Sequence, residues 1–121
     1  MMFSFTGPVF TFTGGTRLAI AAGVPVIASL HGHVYGGGLQ IALGADIRVA
    51  HPEARLGLLE IDWGIIPDMG AFIVLPELMP ADRIRDLAYS GRTVSGTEAV
   101  AMGLATRASD TRSEEHTSEL Q

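Results

Sequence analysis

PVIASLHGHVYGGGLQIALGADIRVA, residues 25–50, decides the fold class. Val24 to Leu30, which overlaps its opening, is a short run rich in β-branched and apolar residues bounded by Gly23 and Gly32. It reads as a buried strand, with Pro25 near the start, where a missing N–H is tolerated. Val34-Tyr35 leads into Gly36-Gly37-Gly38, and the apolar run Leu39–Leu43 predicts a short core helix that opens on those glycines. Asp46–Ala50 predicts a second strand. Strand, glycine turn, helix and strand in that order make an α/β chain.

Outward from this stretch the pattern continues. Pro52-Glu53 marks a turn, Arg55–Leu58 a third extended piece, and Ile65–Gly70 a loop punctuated by proline and glycine. Pro80 suits a first helical position, with Ile84, Leu87 and Ala88 on one helix face. Ser95-Gly96-Thr97-Glu98 is a capping-box pattern, and Gly103 closes the helix it opens. Arg17–Ala22, before Gly23, predicts the end of another helix. Met1–Gly15 has no clear periodicity and is assigned no function.

Composition bounds the function. The chain has 121 residues, enough for one small domain, with 47% hydrophobic and 17% charged residues. Net charge is −5 and no basic cluster occurs, which argues against nucleic acid or an anionic membrane surface as partner. There is no cysteine, so disulfide and thiolate chemistry are excluded. No apolar run reaches the ~18 residues of a membrane span, and Met1-Met2-Phe3-Ser4 lacks the basic start of a signal peptide. A cytoplasmic, bacterial protein is the expectation. Residues 112–121, RSEEHTSELQ, resemble the in-frame translation of a sequencing-library adapter. They are set apart as an artefact tail from a domain spanning residues 1–111.

Few residues offer chemistry. The glycine triplet puts unpaired backbone N–H groups at a helix start, where negative charge is favoured and a ligand can approach closely. Such a turn can hold a phosphate or an oxyanion, but alone it reads more readily as a tight structural turn. No nucleotide-binding glycine motif fits here. Glu60 lies between Leu59 and Ile61, and Asp68 eight residues on. An acid among apolar neighbours suits general acid–base work, although residue type alone favours an exposed carboxylate on an edge strand. Asp46 and Arg48 suggest an ion pair or turn contact. His31 and His33 lack further ligands at zinc spacing and read as structural, so no metal is expected. Trp63 reads as packing.

Several blocks in fixed order carry a resemblance. PVIASLHGHVYGGGLQIALGADIRVA, then EIDWGIIPDMG (60–70), LPELM (75–79) and YSGRTVSGTEAVAMGLATR (89–107) are similar to blocks of the enoyl-CoA hydratase/isomerase (crotonase) superfamily. The likeness covers Pro25–Arg107. It implies a partial crotonase-like spiral of ββα units and acyl-CoA thioester substrates. Coenzyme A would enter as part of the substrate, with no separate cofactor, and the full-length protein would be a homotrimer or hexamer. It also implies that the chain is the middle of a longer enzyme, lacking the upstream coenzyme A-binding strands and the C-terminal helices. Gly37, within Gly36–Gly38, matches the backbone donor of an oxyanion hole. The second donor is implied to lie upstream, where nothing in Met1–Gly15 corresponds.

Where hydratases of the superfamily carry two glutamates, this sequence has Gln40 and Glu60. An amide cannot exchange a proton at neutral pH, which tells against efficient hydration by that pair. The Glu60…Asp68 spacing is similar to the acid pair of dienoyl-CoA isomerases, and Pro67-Asp68-Met69-Gly70 also resembles a loop of 3-hydroxyisobutyryl-CoA hydrolases. The resemblance therefore implies thioester enolate chemistry, namely hydration or double-bond isomerisation, with Gly37, Glu60, Asp68 and Gln40 as site residues. A related hydrolase or a catalytically silent acyl-CoA-binding homologue are the alternatives.

Overall fold

The computed structural model describes residues 25–110 and, for the backbone alone, residues 2–5. The readings for Arg17–Ala22 and for residues 112–121 lie outside the described residues. The described strands form two sheets. The first is parallel throughout, in the order β1 (Met2–Phe5), β2 (Ile27–Leu30), β4 (Ile47–Ala50), β7 (Arg107–Ala108). The second holds β3 (His33–Tyr35), β5 (Arg55–Gly57) and β6 (Thr93–Ser95), with β3 parallel and β6 antiparallel to β5. From β2 to β5 consecutive strands thus enter the two sheets alternately. The segment β2–β3 followed by helix α1 (Gly37–Ala42) is one ββα unit. The next pair, β4–β5, leads into a 310 turn (Glu60–Trp63), helix α2 (Ala71–Val74), a second 310 turn (Leu75–Glu77) and helix α3 (Ala81–Ser90). Helix α4 (Gly96–Met102) joins β6 to β7.

Burial follows the apolar pattern. Ala28 and Leu30 of β2, Leu39 to Leu43 around α1, Leu56, Leu58 and Leu75 enter one core with Ile84, Leu87 and Ala88 of α3. Pro80 stands one place before α3, as its extended N-cap. At α4 the Ser95 hydroxyl accepts the Glu98 N–H at 3.0 Å, while the Glu98 carboxylate pairs with Arg92 at 3.1 Å instead of reaching back. Only half of the capping box is therefore built. Gly103 closes α4 with φ 91°.

Asp46 and Arg48 staple the turns around β4. The Asp46 carboxylate accepts the Val26 N–H at 2.8 Å. Arg48 is buried, and its guanidinium donates to the carbonyls of Leu104 (3.0 Å) and Ala45 (2.8 Å). Burial pulls this guanidinium below its ordinary range, and the field of Asp46 partly offsets that. The turn-contact reading is the one realised. Among the described residues no helix is long and apolar enough to cross a membrane.

Candidate functional site

Tyr35, the last residue of β3, pairs with Gly57 of β5, whose carbonyl accepts the Gly36 N–H at 2.9 Å. That bond holds Gly36 at φ 55°, a conformation that favours glycine, and the chain turns directly into α1. Gly37 is thus the first residue of a helix whose N-terminal N–H groups have no intrahelical acceptor. One turn on, Gln40 is 2% exposed, held among Leu39, Ile41 and Leu43.

Glu60 begins the 310 turn after β5 and is 7% exposed, so the edge-strand, exposed-carboxylate reading is overturned. The turn itself is held from several sides. Leu58 is anchored in the core, Gly64 closes the turn with φ 71°, and the C-cap of α3 presses on it. A Cβ at Gly91, in that C-cap, would lie 2.8 Å from Ile61 and 3.0 Å from Asp62. Glu60 Oε1 accepts the Gln40 Nε2–H at 2.9 Å, and Glu60 Oε2 is buried without a hydrogen-bond partner.

The turn and the acid meet in one cleft of about 330 Å³. Tyr35, Gly36 and Gly37 come from the strand-to-helix turn, and Leu59, Glu60, Trp63 and Ile65 from the segment after β5. A Cβ on Gly36 would sit 3.3 Å from Glu60 Oε1, and one on Gly37 3.2 Å from the Met69 sulfur. The two glycines are therefore what lets the carboxylate and the thioether approach the backbone. Trp63 is 82% exposed and lines this cleft, which corrects its reading as a packing residue.

Of the four residues expected to act together, Gly37, Glu60 and Gln40 are adjoining. Gly36 lines the cleft with Gly37, whereas Gly38 is buried in the first turn of α1. Asp68 is exposed on the loop that follows and does not line the cleft. The same loop touches the site through Met69, whose N–H donates to Gln40 Oε1 at 2.7 Å. Sequence spacing gave no signal for Met69 or for Tyr35. His33 stacks on Tyr35 with ring centroids 5.1 Å apart. Among the described residues no group of three or more His, Asp or Glu side chains is arranged to hold a metal ion.

Comparison with known proteins identifies the family. Residues 8–118 match the family model described as enoyl-CoA hydratase/isomerase. The chain is 39% identical over 83 residues to a carnitinyl-CoA dehydratase of Salmonella paratyphi A, which covers 69% of this chain and 32% of that protein. It is 40% identical over 80 residues to a peroxisomal bifunctional enzyme of Pongo abelii, covering 66% of this chain and 11% of that protein. Among solved structures, an enoyl-CoA hydratase from Bacillus anthracis superposes with a TM-score of 0.81 at 35% identity, covering 87% of this chain and 41% of that one. The chain thus matches a third or less of the length of these curated relatives.

Proposed function

This chain belongs to the enoyl-CoA hydratase/isomerase (crotonase) family and has its α/β fold, and from that premise we propose that it processes an acyl-CoA thioester through an enolate, by double-bond isomerisation or hydration. The supporting observation is the pairing, in one cleft, of a buried carboxylate with the glycine turn that starts α1. Leu59, Trp63 and Ile65 give the cleft an apolar wall suited to an acyl chain.

In this reading the thioester oxygen faces the Gly37 N–H. The Glu60 carboxylate removes a proton from a carbon acidified by the thioester, and the electron pair moves onto the thioester oxygen. Returning that proton to another carbon of the conjugated system shifts the double bond. Hydration instead adds the hydroxyl of water to the β-carbon and a proton to the α-carbon. Asp68, outside the cleft lining, is secondary to Glu60 in this scheme.

Gly37→Pro tests the oxyanion role directly. Proline is tolerated at the first position of a helix but has no N–H to donate. In the complete gene product we expect turnover of 2-enoyl- and 3-enoyl-CoA to fall about 10²–10³-fold, the usual loss for one such donor. Circular dichroism should show a retained fold. A folded Gly37→Pro protein with unchanged turnover refutes the assignment.

A further inference from the structure

Of the methionines whose side chains are described, Met79 and Met102 are buried in the core at 6% and 7% exposure, whereas Met69 is 41% exposed. Met69 lies on the loop between the first 310 turn and α2, and its sulfur stands against the first residue of α1. A Cβ built on Gly37 would lie 3.2 Å from that sulfur and 3.9 Å from the methyl carbon beyond it. The thioether therefore meets the glycine through sulfur. The main chain is held on both sides of this contact. The Met69 N–H donates to the Gln40 side-chain oxygen at 2.7 Å, and the carbonyl of Gly70, the N-cap of α2, accepts the Ile73 N–H at 3.0 Å. Only side-chain torsions are left to relieve a change at the sulfur. Gly37 in turn lines the cleft.

We propose that Met69 is a site of reversible oxidation by hydroperoxides, and that its sulfoxide closes the Gly37 side of the cleft to the thioester. The inference rests on the reading of this cleft as the thioester site. A sulfur lone pair attacks the outer oxygen of the peroxide and the O–O bond breaks. The leaving alkoxide or hydroxide takes the proton of the transferred oxygen and departs as alcohol or water. Sulfur is oxidised by two electrons and the peroxide is reduced by two. A cleft that admits an acyl-CoA admits so small an oxidant. The product is a polar side chain with a strong acceptor where an apolar one stood. Beside it is the Gly37 N–H, at the start of α1 and without an intrahelical acceptor. The new oxygen either accepts that N–H or swings the side chain across the face of Gly37. Both outcomes take the place that the thioester oxygen needs. A methionine sulfoxide reductase, supplied with a dithiol, removes the oxygen as water and restores the thioether.

The test exposes the complete gene product, as wild type and as Met69→Leu, to graded hydrogen peroxide. Peptide masses follow oxygen uptake, 2-enoyl- and 3-enoyl-CoA report turnover, and calorimetric titration with a saturated acyl-CoA reports affinity. The Met69 peptide should gain one oxygen before those of Met79 and Met102. Turnover should fall with it by about 10²-fold, the low end of the loss for one oxyanion donor, and affinity should weaken in parallel. Circular dichroism should stay native, and reductase with dithiol should restore turnover as the Met69 peptide loses its oxygen. Met69→Leu, whatever turnover it starts with, should keep it through the same exposure. Should that variant fail to fold, the reductase recovery of wild type decides. The inference is overturned by a Met69-oxidised protein as active and tight-binding as before, by an equal loss in Met69→Leu, or by a loss that accompanies unfolding. Untreated wild type inert toward both unsaturated thioesters overturns the enolate reading instead, and the affinity for the saturated acyl-CoA then still decides whether oxidation at Met69 closes the cleft.

Discussion

Glu60→Gln is expected to lower turnover of unsaturated acyl-CoA about 10²–10⁴-fold, the range for losing a proton-transfer group, while the protein stays folded. The substitution preserves shape. Its carbonyl oxygen can take the place of Oε1 and keep the 2.9 Å bond from Gln40, and its NH2 replaces an Oε2 that already lacks a partner. What disappears is the ability to accept a proton. Exchange of the α-protons of a saturated acyl-CoA in D2O isolates that step, because it needs a base and a stabilised enolate but no double bond. Exchange should vanish together with turnover. Asp68→Asn is the companion measurement. Asp68 is exposed and outside the cleft lining, so its loss should be far smaller. Equal losses in the two variants would restore a two-acid relay, and an unimpaired Glu60→Gln enzyme would remove Glu60 from the chemistry.

The difference between these two acids was not legible in their spacing. They are eight positions apart, but a 310 turn and the left-handed Gly64 intervene, so distance along the chain says little about distance in space. The burial of Glu60 is likewise non-local. It goes with a hydrogen bond to a residue 20 positions earlier, in a turn whose next two residues meet the C-cap of α3. Where local chemistry dominates, the sequence sufficed. Leu39–Leu43 form a core helix, Ser95 caps α4 and Gly103 ends it. The strands missed were β1, β3, β6 and β7. Three of them span two or three residues, too few to show a period of two, and their pairing is decided by partners elsewhere in the chain. Gln40 was legible as a departure from a two-acid pattern. Its role as a bridge between a carboxylate and a loop was not, because both of its partners come from other elements.

Gly96→Ala should be the most damaging of the conservative changes outside the site. Gly96 opens α4 directly after β6, and its N–H donates to the Ala54 carbonyl at 2.9 Å. A Cβ there would be driven into the carbonyl group of His51 and would come within 3.3 Å of the Ala50 side chain. A backbone carbonyl cannot swing aside as a side-chain tip does. Either α4 lifts away or the turn between β4 and β5 shifts, and both routes break packing around Ala99 and Leu104 in the core. Overpacking ordinarily costs about 1–3 kcal/mol, and a backbone obstacle puts this case at about 3 kcal/mol or more. The damage should reach the site. Ser95 pairs with Arg55 and Thr93 with Gly57, and the Gly57 carbonyl is what holds Gly36 in its turn. Gly64→Ala supplies the control. Gly64 has φ 71° with open space where a Cβ would go, so only the left-handed penalty of about 1–2 kcal/mol applies. Urea denaturation of the three proteins should rank wild type above Gly64→Ala above Gly96→Ala. If Gly96→Ala proves no less stable than Gly64→Ala, the close packing of α4 against the β4–β5 turn is not what holds this end of the fold together.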